Sequence, residues 1–110
     1  MSELAKKRCV PCEGGVDAYT PDIAVDMMKE LSGDWMLVDD AHLLVKECRF
    51  KDFREAMVFA NKVAEIAEEE NHHPELNIAW GSVSIELATH AIGGLSENDF
   101  ILAAKIDQIK

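Results

Sequence analysis

The pattern that limits the possible folds most is a long helical repeat, KDFREAMVFANKVAEIAEEEN, at residues 51–71. Asp52 and Glu55 have capping-box spacing, which predicts that a helix starts there. Apolar and small residues then recur every three or four positions, which predicts one buried helix face; they are Phe53, Met57, Ala60, Ala64 and Ala67. The helix should end near Asn71, because the residue before a proline, here His73, is pushed out of helical geometry.

Shorter patterns predict a helix on either side of this one. Thr20 is a candidate N-cap with proline at the first helical position, and Gly33 marks the stop. Near the other end of the chain, Ser96 and Asp99 repeat the capping-box spacing and predict a last helix. Residues 1–19, before the first predicted helix, mix charge, proline and glycine without a period. We therefore expect a loosely attached N-terminal arm at 1–19 followed by one domain at 20–110.

The segments between the helices predict strands. Residues 35–38 and 42–50 suit a hairpin around the polar turn at 39–40, and residues 83–87 alternate between apolar and polar. Gly81 predicts a bend just before this last strand. The order α-β-β-α-β-β-α predicts an α+β fold, in which a four-stranded antiparallel sheet has three helices packed on one face.

The charge of the chain excludes several classes of function. With 21 acidic and 11 basic residues the formal net charge is −10, and the only basic cluster is at 6–8, so we expect no binding to nucleic acid. No apolar stretch approaches the roughly 18 residues of a membrane span, so no membrane contact is predicted either. Three cysteines, without an apolar leader, predict a reducing, cytoplasmic location.

Three of the four histidines, His72, His73 and His90, fall at the ends of predicted elements. Histidine is the side chain that exchanges protons near neutral pH without special tuning, so the three could form a proton-transfer site. Glu68 precedes His72 by four residues and is predicted to orient its ring. Asp99 either hydrogen-bonds near this site or only caps its helix. A solvated helix end, favoured by the helix dipole, is the alternative interpretation.

A metal site is a weaker interpretation of the same residues. Three histidines can bind zinc, but the side chains of His72 and His73 should diverge because they are adjacent in sequence. Cys9 and Cys12 form a single C-x-x-C, and no second pair completes a four-ligand site. We therefore predict no metal and no cofactor.

Several separated motifs occur together in the second half of the chain. They are His-His-Pro at 72–74, Thr-His at 89–90 and Gly-Gly-Leu-Ser at 93–96. In this order and spacing the chain resembles the pterin-4a-carbinolamine dehydratase family over roughly residues 20–110. Two departures concern the pocket: Leu76 stands where many members have tryptophan, and Gly81-Ser82 stands where many have Asn-Lys.

The resemblance implies a hydro-lyase that converts 4a-hydroxytetrahydropterin into quinonoid dihydropterin and water. It implies His72, His73 and His90 as catalytic residues, Glu68 and Asp99 as their support, and substrate contacts from Pro74, Trp80 and Thr89. The expected partners are the pterin itself, an aromatic amino acid hydroxylase as a functional link, and further copies of the chain in a homodimer or homotetramer. The alternative function is that of a dimerisation cofactor for a transcription regulator.

Overall fold

The structure is a computed structural model that describes residues 3–10 and 17–109; Cys12 lies outside these ranges. The helices and strands follow the predicted order: α1 Pro21–Met27, β1 Met36–Val38, β2 Leu43–Arg49, α2 Phe53–Glu70, β3 Glu75–Ala79, β4 Ser82–Leu87 and α3 Glu97–Ile106. Short 3₁₀ turns occupy Leu4–Lys6, Met28–Glu30 and His90–Ile92. Within the described ranges, no helix combines the length and the apolar character needed to cross a bilayer.

The four strands form one antiparallel sheet in the order β1-β2-β4-β3. Leu44 of β2 pairs with Leu87 of β4, and Ile85 of β4 pairs with Leu76 of β3, so the apolar side chains gather on one face. Helix α2 packs against β3 and β4 and also contacts α3, while Ala24 of α1 joins the same buried cluster. The predicted α+β fold is confirmed.

The buried face of α2 differs from the predicted one. Ala60 and Ala67 are buried as expected, but Phe53 is 49% exposed and Ala64 is exposed. The buried positions are Ala56, Ala60, Val63, Ala67 and Glu70. Because Phe59 and Ile66 also pack on the core, the helix is rotated so that Val63 lies at the centre of its buried face.

Two turns have unusual backbones. In the β1–β2 turn, Asp39, Asp40 and Ala41 all have positive φ, at 55°, 54° and 65°. In the β3–β4 turn, Gly81 accepts a 2.8 Å hydrogen bond from the Phe50 N–H, and a Cβ at this position would lie 3.0 Å from the Phe50 carbonyl oxygen. The predicted bend at Gly81 is confirmed, and close backbone approach explains its glycine.

The N-terminal arm is not loosely attached over residues 3–10. Its 3₁₀ turn packs on α3, with Leu4 only 5% exposed, and Lys105 Nζ donates a 2.9 Å hydrogen bond to the Ala5 carbonyl. The prediction of a loose arm is therefore wrong for these residues. A single buried leucine in a charged segment has no period by which it could be recognised from sequence.

Candidate active site

The turn after α2 brings His72 to the start of α3. Asn71 ends the helix in the left-handed conformation, with φ 53° and ψ 40°, and the His72 N–H donates to the Ala67 carbonyl at 3.2 Å. The reversal places His72 Nε2 at 2.6 Å from Asp99 Oδ1. The His72 side chain is only 12% exposed, so this contact is largely protected from water.

Asp99 is fully buried and uses both of its carboxylate oxygens. Oδ2 accepts a hydrogen bond from the Ser96 N–H at 3.0 Å, which is the predicted helix cap, and another from Thr89 Oγ1 at 2.8 Å. Oδ1 is left to accept from His72. Asp99 thus both caps its helix and contacts the candidate site. If Nε2–H of His72 is the donor to this carboxylate, Nδ1 is the ring atom that can exchange a proton.

Glu68 contacts a different histidine from the one predicted. Its carboxylate pairs with Nε2 of His73, whereas His72 turns toward Asp99. The predicted pairing of Glu68 with His72 is wrong, because the i, i+4 rule requires a continuous helix and Asn71 interrupts it. The Glu68–His73 pair is largely exposed, at 76% and 54% of the two side chains.

His90 approaches from the other side of the site. It opens the 3₁₀ turn after β4, and a bridge between Thr89 and Gly94 closes this turn, with Thr89 N–H donating to the Gly94 carbonyl at 2.7 Å. The His90 side chain is exposed and makes no hydrogen bond or ion pair to any residue that the structure describes. Its imidazole is therefore free to contact a ligand.

The three histidines line one cavity of about 390 Å³. Its wall also includes polar and apolar residues from the arm, the segment after β4, and α3, among them Val10, Ala88, Thr89 and Asn98. A larger groove of about 740 Å³ lies between β2 and α2, but its described lining residues include no histidine. The smaller cavity is thus the one suited to proton transfer at neutral pH.

Comparison with known proteins identifies the family. The sequence matches the family model for pterin 4 alpha carbinolamine dehydratase over residues 18–109. The chain belongs to this family. A relative from Rubrobacter xylanophilus, provisionally named pterin-4-alpha-carbinolamine dehydratase, is 48% identical over 99% of this chain and 100% of its own length. A relative from Rickettsia canadensis with the same provisional name is 49% identical over 97% of each chain.

Solved structures extend the comparison to the fold. A protein from Brucella melitensis described as a transcriptional coactivator/pterin dehydratase is 32% identical, with a TM-score of 0.75 over 82% of this chain and 95% of that chain. A pterin dehydratase-like protein, described as a RuBisCO assembly factor in the alpha-carboxysome, is 23% identical. Its TM-score of 0.59, over 69% of this chain and 88% of that chain, indicates a shared fold and nothing more.

The family resemblance also predicted that Pro74, Trp80 and Thr89 contact the substrate. Of these three residues, Thr89 alone lines the cavity. Its hydroxyl, however, is already bonded to Asp99 and contacts Ser96 Oγ at 2.8 Å. Pro74 is half-buried and outside the cavity lining. Trp80 is 69% exposed in the β3–β4 turn, at the far end of a five-residue strand that spans about 17 Å. Trp80 does not line the cavity that one chain forms, so its contact with the substrate stays a prediction.

Sequence reasoning missed several residues that line the cavity, among them Val10 and Asn98. Val10 was missed because the arm gives no periodic signal. Asn98 follows the Ser96 cap at the second helical position and is only 5% exposed. The available signal was a polar residue two positions before the apolar run FILAA at 100–104. An amide placed so close to the core needs hydrogen-bond partners.

Neither cysteine in the described ranges has the properties of a reactive thiol. Burial, with a smaller effect of the Glu70 carboxylate, raises the pKa of Cys9 to about 12. Burial likewise raises the pKa of Cys48. Within residues 3–10 and 17–109, no three histidine, cysteine or acidic side chains are close enough to hold a metal ion.

The double role of Asp99 gives a testable prediction. Asp99→Asn keeps the size of the side chain but removes one acceptor oxygen, so we expect the wrong His72 tautomer and a dehydration kcat lower by about 10²–10⁴-fold. Asp52→Asn is the matched control, because Asp52 caps α2 through Glu55 N–H at 2.9 Å without contacting a histidine. Equal kcat values for the two variants would mean that Asp99 only caps its helix.

Proposed function

We propose that this protein catalyses the dehydration of 4a-hydroxytetrahydropterin to quinonoid dihydropterin and water. The observation that carries the proposal is the gathering of three imidazoles, from His72, His73 and His90, around one cavity. Its volume of about 390 Å³ falls in the range of roughly 300–1,000 Å³ typical of small-molecule sites. Family membership supports the same reaction class.

The reaction needs one acid and one base. The C4a–O bond breaks, an acid protonates the departing hydroxyl to give water, and a base removes a proton from a ring nitrogen. The electron pair of that nitrogen then forms the new C=N bond, so no electron acceptor is required. Assistance of about 10²–10⁴-fold is typical of positioned acid–base groups.

We assign the two proton transfers to His72 and His90. His72 is held by the buried Asp99 carboxylate, which fixes the orientation of its ring, while the His90 ring is free to reach the substrate. His73, paired with the Glu68 carboxylate at the rim, binds the substrate or shares the transfer.

The direct test is an assay of the full chain with freshly generated 4a-hydroxytetrahydrobiopterin. We expect the carbinolamine absorbance to decay faster than the spontaneous rate, in proportion to protein concentration and equally after exhaustive chelation. Heat-denatured protein is the control. A decay that stays at the spontaneous rate would contradict the proposal.

The wider context follows from the resemblance. We place the protein in the cytoplasm, recycling the pterin product of an aromatic amino acid hydroxylase, and assembled as a homodimer or homotetramer. The exposed apolar residues Met36, on edge strand β1, and Ile78, on edge strand β3, are 62% and 39% exposed and support self-association. Light scattering that gives the monomer mass at micromolar concentration would contradict the oligomer.

A second candidate function is that of a protein-binding module. It is favoured by the coactivator description of the Brucella relative and by the exposed apolar residues Phe53 and Val58 of α2, which are 49% and 50% exposed. The two functions separate experimentally. A His90→Ala variant should lose dehydration but keep any partner, whereas Phe53→Ser with Val58→Ser should do the reverse.

A further inference from the structure

The N-terminal arm is fixed across the gap between α2 and α3 by two buried side chains. The Cys9 N–H donates to Glu70 Oε1 at 2.8 Å. Asn98 makes a two-point contact with Val10, accepting from its N–H at 3.0 Å and donating to its carbonyl at 2.6 Å. Glu70 and Asn98 are only 8% and 5% exposed, so the side-chain partner in each of these three bonds is largely shielded from water. Buried bonds of this kind fix the position of residues 9 and 10.

The residue whose backbone is fixed in this way is apolar and lines the cavity. Val10 is 66% exposed, yet it lines the same cavity as the three histidines. Leu4, on the same arm, is 5% exposed and shows how the arm attaches itself to the core. Attachment therefore does not require Val10 to face the cavity, and an exposed valine held rigidly there gains stability only when something covers it.

We infer that Val10 is a substrate-contacting residue that forms an apolar wall of the pterin site, with Asn98 and Glu70 as its positioning residues. The inference rests on the proposed function and adds the arm to its site. A pterin ring has polar edges and flat, weakly polar faces, so it needs an apolar surface as well as the histidines. Rigid placement of that surface lowers the entropic penalty of binding.

The test compares Val10→Ala with Val25→Ala in the full-length protein. Val25 lies on α1, is 59% exposed and does not line the cavity, so it matches the substitution and the exposure of Val10. We expect Val10→Ala to raise KM about three- to tenfold with kcat within twofold of the parent, because it removes contacts made equally in ground and transition states. Val25→Ala should leave both constants unchanged.

Asn98→Ala provides a second variant, because it removes the two-point contact without touching Val10. We expect Asn98→Ala to raise KM as much as Val10→Ala or more. For Val10→Ala, an unchanged melting temperature would show that its higher KM is not caused by misfolding. A KM for Val10→Ala within twofold of Val25→Ala would overturn the inference.

Failure of the proposed function is distinguishable from failure of this inference. If the parent does not accelerate dehydration, the proposed reaction is refuted, and calorimetric binding of 7,8-dihydropterin then decides the role of Val10. Weaker binding by Val10→Ala than by Val25→Ala would support the inference. Equal binding by the two variants, or no binding by the parent, would overturn it.

Discussion

His90→Ala and His72→Ala should each lower the dehydration kcat by about 10²–10⁴-fold, the range expected for loss of a positioned acid or base. The His90 side chain is exposed and makes no hydrogen bond or ion pair to the described part of the chain, so its removal should leave the fold intact. His72 contacts the buried Asp99, so its removal should also destabilise the protein. Stopped-flow rates at matched protein concentration, with circular dichroism for the fold, are the measurement.

The fourth histidine provides the control for this experiment. His42 lies in the β1–β2 turn, where its Nδ1 contacts the Asp39 carbonyl at 2.8 Å, and it does not line the cavity. His42→Ala should therefore keep the parental rate. A parental rate in either His72→Ala or His90→Ala would remove that residue from the mechanism, and a parental rate in both would end the acid–base proposal.

Asp107→Ala should strongly destabilise the protein although Asp107 lies outside the site. The Asp107 carboxylate accepts hydrogen bonds from Trp35 Nε1 at 2.8 Å, Lys46 Nζ at 3.0 Å and the Ser32 N–H at 2.9 Å. Lys46 and Asp107 are only 14% and 16% exposed, and Lys46 lies 5.6 Å from the Trp35 ring centroid. Removing the carboxylate leaves a buried cation and an indole N–H without their acceptor, which should lower the free energy of unfolding by about 2–4 kcal/mol.

The same carboxylate makes stability depend on pH. Burial acts to raise the pKa of Asp107, but the hydrogen bonds from Ser32, Trp35 and Lys46 outweigh it, so the pKa lies below its usual value. As pH falls below about 4 the unfolded chain takes up this proton first, and the stabilisation is lost. Urea midpoints of the parent and Asp107→Ala should therefore differ most at pH 7 and converge toward pH 2.

Asp26→Ala is the control for this comparison. Asp26 pairs with Lys29 at 3.0 Å, but both side chains are about three-quarters exposed, at 74% and 76%. We expect a change within about 0.5 kcal/mol. Equal losses of unfolding free energy in Asp107→Ala and Asp26→Ala would mean that the burial of Asp107 adds nothing to its stabilising effect.

The parts of the fold that sequence predicted correctly are those with a local physical cause. Side-chain caps at Thr20, Asp52 and Ser96 fix helix starts through bonds within four residues. The three helix starts were confirmed, but of the two predicted capping boxes the one at Ser96 is complete and the one at Asp52 is present only as an N-cap. The bend at Gly81 and the strand that follows it were also predicted, because a glycine and an apolar–polar alternation are visible in a few letters. The residues alone left the gathering of His72 and His90 as one of two interpretations, and the family resemblance favoured it, since the two histidines lie eighteen positions apart.

The errors arose where one backbone torsion or one long-range contact decided the outcome. The left-handed Asn71 directs His72 to Asp99 and His73 to Glu68, which helical spacing cannot predict. The attachment of Val10 to Asn98 joins positions far apart in the chain. Packing of Phe59 and Ile66, rather than the strongest periodicity, set the buried face of α2. Each outcome depends on tertiary packing, which overrides local propensity.

Asp99 and His90, two residues of the candidate site, would be retained during evolution for different reasons. The carboxylate of Asp99 completes a helix cap, so a lineage that abandoned catalysis would still benefit from keeping it. The His90 side chain does not stabilise the fold through any bond to the described residues, so substitutions at this position should not impair folding. We therefore expect a related protein that has lost catalysis but kept the fold to retain aspartate at position 99 and to have another residue in place of histidine at position 90.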